Sequence, residues 1–171
     1  MAILSIRLYP DPVLRVRCPE VTLFDEDLRR LAEDMAETMY DAPGVGLAAP
    51  QVGIETRLAV VDACLPDGED GLHILVNPQI VATEGADIDL EGCLSIPGIT
   101  DKVQRARRVT VRAQDLDGVP FELDAQGVLA RVILHEVDHL DGVLFIDRLR
   151  GLRRERAKRQ LRRLKTESVL A

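Results

Sequence analysis

This sequence predicts an α+β fold, with short, mainly antiparallel strands around a buried central helix and a further helix at the C-terminus. Three observations lead there. Residues 126–140 are apolar on most sides, through Val128, Leu129, Val132, Ile133, Leu134, Val137 and Leu140, as a helix in the middle of its domain must be. The strand-like runs are short, with Gly- and Asp-rich turns between them. The chain of 171 residues is 46% hydrophobic and 30% charged, which suits one soluble globular domain with a core of its own.

In chain order, Tyr9-Pro10-Asp11-Pro12 and Arg17-Cys18-Pro19 break regular structure, so residues 1–24 read as an extended arm with a turn. From Asp25, a suitable N-cap, to Tyr40 the pattern is helical. Leu28, Leu31, Met35 and Met39 form its apolar stripe, and Pro43-Gly44 ends it. Gly44-Val45-Gly46-Leu47-Ala48-Ala49-Pro50-Gln51 lets backbone or a ligand come close, but it lacks the lysine and the glycine spacing of a phosphate loop. Arg57–Asp62 and Leu72–Val76 are strand candidates, with an exposed acidic turn at 67–71 between them. Gln79–Thr83 follows Asn77-Pro78, and an acidic run then leads to Leu90. Arg105–Arg112 and Phe121–Asp124 are further strands around a hairpin turn at Asp115–Gly118. Asp141-Gly142 closes the central helix, and Gly151–Lys165 forms the last one. Residues 1–150 are thus expected to form a single catalytic domain, with 151–171 as its basic helical tail.

The chemistry concentrates in the central helix. His135 and His139, four residues apart, project from one helix face and can hold one metal ion, while Glu136 is placed to accept a proton from water at that metal. The third ligand expected is Cys93 in Glu91-Gly92-Cys93-Leu94-Ser95, where an extended segment presents the sulfur between a glycine and an apolar residue. Cys18, Cys64 and His73 have no neighbours at metal-ligand spacing.

Three cysteines without a CxxC argue for a reducing compartment, and Met1–Arg7 is too short an apolar run for a signal peptide. A cytoplasmic protein is therefore expected, with neither a membrane nor a specific DNA as partner. The net charge of −7 is unevenly spread. Residues 148–171 carry ten Lys/Arg against two Glu, a net of +8, and the rest of the chain carries −15. Such a tail is a candidate contact for a polyanion.

Together, Gly44–Gln51, Glu91–Ser95 and His135–His139, in this order, resemble the three signatures of the peptide deformylases. The likeness runs from the Tyr9–Pro12 arm to about Arg148. The resemblance implies Cys93, His135 and His139 as metal ligands and Glu136 as general base. Gln51 and the Leu94 N–H would hold the developing oxyanion. It implies hydrolysis of the N-formyl group of N-formyl-methionyl peptides, with release of formate. The peptide would bind as an added strand near Val45, Gly46 and Gly92, and its methionine side chain near Val45, Val128, Leu129 and Val132. Glu91 and Arg105 would pair and hold the cysteine segment. Ferrous iron is the implied ion, with zinc, nickel or cobalt able to occupy the site. Because a formylated peptide emerges at the ribosome, the ribosome is a candidate partner for the basic tail at Arg153–Lys165. The one departure is Leu134, where the family has glutamine. The competing expectations are a zinc endopeptidase built on the same helix, and a ribosome-binding protein with a structural metal.

Overall fold

The computed structural model describes residues 2–63 and 71–170, by backbone alone from 165 onward. The turn expected at 67–71 falls almost wholly outside the described residues, and so does Cys64.

Helix α1 (Glu26–Asp41) starts where expected, the Asp25 carboxylate accepting the Leu28 N–H at 3.0 Å. Strands β1 (Gly46–Ala48), β2 (Leu58–Val61), β3 (His73–Glu84), β6 (Arg108–Gln114) and β7 (Pro120–Gln126) form a five-stranded antiparallel sheet in the order β1-β2-β3-β6-β7. Between β3 and β6 the chain makes a separate two-stranded antiparallel sheet from β4 (Asp87–Cys93) and β5 (Ile96–Arg105). Helix α2 (Gly127–Leu140) follows β7, and α3 (Gly151–Leu170) closes the chain.

Alternation along the strands decides which helix covers which face of the large sheet. Leu58, Val60 and Val76 share a buried cluster with Leu28, Met35 and Met39 of α1. Val61 and Leu75, one residue out of phase, pack with Leu129, Ile133 and Val137 of α2. The sheet is therefore sandwiched between α1 and α2. A third cluster joins Ile96, Ile99 and Val103 of β5 to Leu144, Phe145 and Ile146 and to Ala157 and Leu161 of α3.

Two expectations are corrected. Leu72–Val76 and Gln79–Thr83 are one strand, because Asn77-Pro78 makes a bulge and not a break. Asn77 takes a positive φ of 52°, and its side chain fastens the bulge by bonding both backbone groups of Val21 and the Gln114 amide. Arg105–Arg112, read as one strand, is two: Arg105 ends β5, and Arg108 begins β6 after a break at Ala106-Arg107. The acidic run leading to Leu90 holds the first half of β4. Its apolar Ile88 and Leu90 are each 61% exposed, so alternation there marks no core face. The hairpin turn at Asp115–Gly118 forms as expected, closed by the Gly118 N–H to the Asp115 carbonyl at 3.0 Å.

Candidate metal centre

Two elements bring the donors together. The helical repeat of α2 sets His135 and His139 one above the other, with their Nε2 atoms 3.2 Å apart. A bulge between Glu91 and Cys93, just before the β4–β5 turn, aims the cysteine at them, with Sγ 3.3 Å from His139 Nε2. The three donor atoms lie within 4.8 Å of one another, in a setting where His135 and His139 are buried. Two imidazole nitrogens and a thiol converging on one point serve one another poorly as hydrogen-bond partners and suit a divalent cation well. The donor set thus fits a single metal ion.

Gln51 reaches the same point from the short 3-10 helix Ala49–Val52 that follows β1. Its Oε1 accepts the Ala48 N–H at 3.0 Å, which turns Nε2 towards Ser95 Oγ (3.2 Å) and Cys93 Sγ (3.5 Å). Gly46 makes room for the base. A Cβ added there would lie 2.6 Å from Glu136 Oε1 and 2.9 Å from Val132 Cγ1. Glu136 is buried, and its Oε2 has no hydrogen-bond partner among the described residues. Burial pushes its carboxyl up to about 7, against the pull of the His135 charge.

His135 is held from behind. Its Nδ1 meets Glu91 Oε1 at 2.8 Å, and the Phe145 ring stacks against it at a centroid distance of 6.2 Å. Burial alone would lower the imidazolium, but hydrogen bonds to Cys93 and Glu91 carry it up to about 10. For His139, burial and then repulsion from His135 push the other way, well below the ordinary value. The opposed directions belong to two buried rings in contact, where a charge on one disfavours a charge on the other. Glu91 is itself gripped by the Arg105 fork at 2.8 and 2.9 Å and by Arg131 at 2.7 Å. Burial would raise its carboxyl, but bonds to Arg105 and then His135 bring it down to about 2.

A cleft of about 400 Å³ opens onto these groups, lined by Gly44, Val45, Gly46, Gln51, Asp89, Leu90, Glu91, Gly92, Cys93, Leu94, Val128, Arg131, Val132, His135 and Glu136. Val45 and Val128 stand half-exposed at its rim, while Val132 is buried in its wall. Leu129, expected beside them, does not line the cleft; it faces the core beneath the large sheet, 5% exposed. Arg105 stands behind Glu91, away from the opening. Leu134 packs against the same core cluster as Leu129, so the apolar side chain in place of glutamine sits where apolar contact is wanted.

Sequence reasoning left Ser95, Arg131, Asp138 and Arg148 without roles. Arg131 lies four residues before His135 and Asp138 three after it, on the histidine side of α2, and that spacing was the available signal. Asp138 joins Arg105 (2.6 Å) to Arg148 (2.8 and 3.1 Å). Nothing local in the sequence around Arg148 points to this.

Known proteins resemble this chain in sequence and in fold. Residues 3–155 match the family model described as polypeptide deformylase. The chain is 51% identical to a peptide deformylase of Acidobacterium capsulatum, with 96% of each chain covered, and 47% identical to one of Chromobacterium violaceum, covering 99% of this chain and 100% of the other. Among solved structures, a peptide deformylase from Legionella pneumophila superposes with a TM-score of 0.87 at 46% identity, over 98% of each chain. One from Thermus thermophilus gives 0.88 at 44% identity, covering 96% of this chain and 99% of the other.

Proposed function

The chain belongs to the polypeptide deformylase family of metal-dependent hydrolases, whose substrates are formylated peptides, and from that premise we propose that Cys93, His135 and His139 hold its catalytic ion, with Glu136 as general base. The observation that carries the assignment is the convergence of one thiol and two imidazoles beside a buried carboxylate oxygen that has no partner among the described residues. A divalent ion bound there supplies Lewis acidity and makes a coordinated water easier to deprotonate.

The remaining work falls to the chain's own groups. Val45, Gly46 and Gly92 offer main chain along the cleft for the peptide to pair with, and Val45, Val128 and Val132 offer an apolar surface for the methionine side chain. Glu136 takes the proton from the attacking water at its free Oε2 as the water oxygen bonds to the formyl carbon. Gln51 Nε2, turned inward by the Ala48 bond, donates to the oxygen that gains charge, and the Leu94 N–H at the β4–β5 turn is the second donor. When the C–N bond breaks, Glu136 returns its proton to the leaving amine, and formate departs.

Residues 1–150 form the catalytic unit in this proposal, and 151–171 are its basic tail. Thiolate and imidazole donors suit zinc by ordinary preference, and the family resemblance points to ferrous iron, with nickel and cobalt as substitutes. Formylated chain starts arise at the ribosome, so the compartment proposed is the cytoplasm. No described helix is long and apolar enough to cross a membrane.

The test pairs a formyl-Met peptide with its unformylated twin, using protein purified without oxygen and analysed for metal. Formate release from the first alone, with one iron per chain, is the expected result. Glu136→Gln should lose turnover by ~100-fold or more and keep its ion. Internal cleavage of the unformylated peptide would instead favour the zinc endopeptidase, and a different ion in the active protein would overturn the choice of iron.

A further inference from the structure

We propose that Arg148 is a positioning residue for His135, acting through Asp138, Arg105 and Glu91; this rests on the ligand assignment above. Arg148 ends the short 3-10 helix Phe145–Arg148, which lies between α2 and α3. Its guanidinium grips Asp138 with two bonds, Nη2 to Oδ1 at 2.8 Å and Nε to Oδ2 at 3.1 Å. Oδ2 also accepts from Arg105 Nη1 at 2.6 Å, and the rest of the Arg105 fork holds both oxygens of Glu91. Glu91 Oε1 then meets His135 Nδ1. An unbroken run of charge-assisted bonds therefore leads from the base of α3 to the ring of a metal ligand.

Burial stiffens the inner members of this run, while Arg148 at its outer end is 49% exposed. The Arg105 and Glu91 side chains are 5% and 6% exposed and Asp138 12%, so solvent screens their mutual pull weakly. Without Arg148, Asp138 would depend on Arg105 alone. Arg105 would then be drawn between two carboxylates, and its hold on Glu91, which orients the imidazole, would slacken. The same turn bears on His135 a second time through Phe145, stacked against the ring at 24° between planes. One short element thus fixes the ligand by a charge path and by an aromatic face.

A bland role is that Arg148 merely helps dock α3, and it has to be separated by experiment. That docking has its own ion pairs, from Arg153 and Arg156 to Asp101, so Asp101→Asn loosens α3 without touching Asp138. The wild type, Arg148→Ala, Arg148→Lys and Asp101→Asn are loaded with cobalt. The readouts are the ligand-field spectrum, ion release into excess chelator, the melting point, and the kcat and KM for a formyl-Met tripeptide.

Uptake of one ion per chain by the wild type, lost in Cys93→Ser, establishes the donor set independently; a wild type that binds no ion overturns both assignments. Arg148→Ala is expected to release cobalt about three- to tenfold faster, below the ~10–100-fold typical of groups that touch a ligand directly. Its spectrum should shift, and kcat should fall at unchanged KM. Arg148→Lys should recover most of the loss, and Asp101→Asn should match the wild type. Two results overturn the proposal: a lowered melting point in Arg148→Ala with wild-type release and spectrum, or the same release defect in Asp101→Asn.

Discussion

At the scale of single residues, space and direction matter more than identity. Gly46 serves the site by having no side chain, because a methyl group there would meet the Glu136 carboxylate and Val132 together. Gly46→Ala should displace the base, lowering kcat by ~10-fold or more while metal content stays at the wild-type level, as parallel turnover assays and metal analysis would register. Gln51→Ala removes a donor and leaves the three ligands intact, so a loss of about 10²–10³ in kcat with full metal content is expected. A variant that loses its ion instead would mean that Gln51 holds the thiolate and not the oxyanion. The donors and the base were legible because their spacing is local to a helix or a short motif. Of the ion pairs, Glu91 with Arg105 was expected from the resemblance and is present, whereas the partners of Asp138 were not legible, because only the fold makes neighbours of Asp138 and Arg148 on one side and Arg105 on the other.

At the scale of elements, caps and turns decide how the scaffold closes. Helix α2 ends at Asp141-Gly142, where Gly142 has a φ of +74° and a Cβ would lie 2.6 Å from the carbonyl oxygen of Arg15. The glycine both ends the helix and lets the N-terminal arm cross it. Gly142→Ala should therefore cost about 1–3 kcal/mol, read as a lower midpoint in urea unfolding, and should do so without changing the donor spacing. The three helices were legible from their periodicity and caps. The β4–β5 sheet was not. Its outward Ile88 and Leu90 sit among acids, and what holds β4 is its pairing with β5 together with the Glu91 bonds to Arg105 and Arg131, none of which leaves an alternating apolar trace.

For the whole molecule, α3 has two roles on two faces. Ala157 and Leu161 complete the cluster that backs β5, while Arg154, Arg159 and Arg163 are exposed. We propose the ribosome as the partner of that exposed basic face. Replacing the three arginines by serine should weaken co-sedimentation with ribosomes, steeply so as salt rises, and leave the melting point unchanged. Deleting everything after Arg150 should weaken it too, but with a loss of stability, because Ile96 and Leu144 would lose their cover. Ribosome binding by the triple variant at the wild-type level in low salt would remove the proposal. The basic tail of the domain is thus a helix that is also part of the core. Charge patterning marks the outer face of such a helix and says nothing of the inner one.

The wide separation of the donors along the chain also sets an order in time. His135 and His139 stand together as soon as α2 coils, since one helical turn suffices to align them. The thiol is 46 residues from His139 and arrives only when the β4–β5 hairpin has formed and closed on that helix. A half-folded chain therefore offers an ion two weak grips, and the finished one offers three. Binding by all three donors requires the native topology, so the energy of that binding counts towards the native topology.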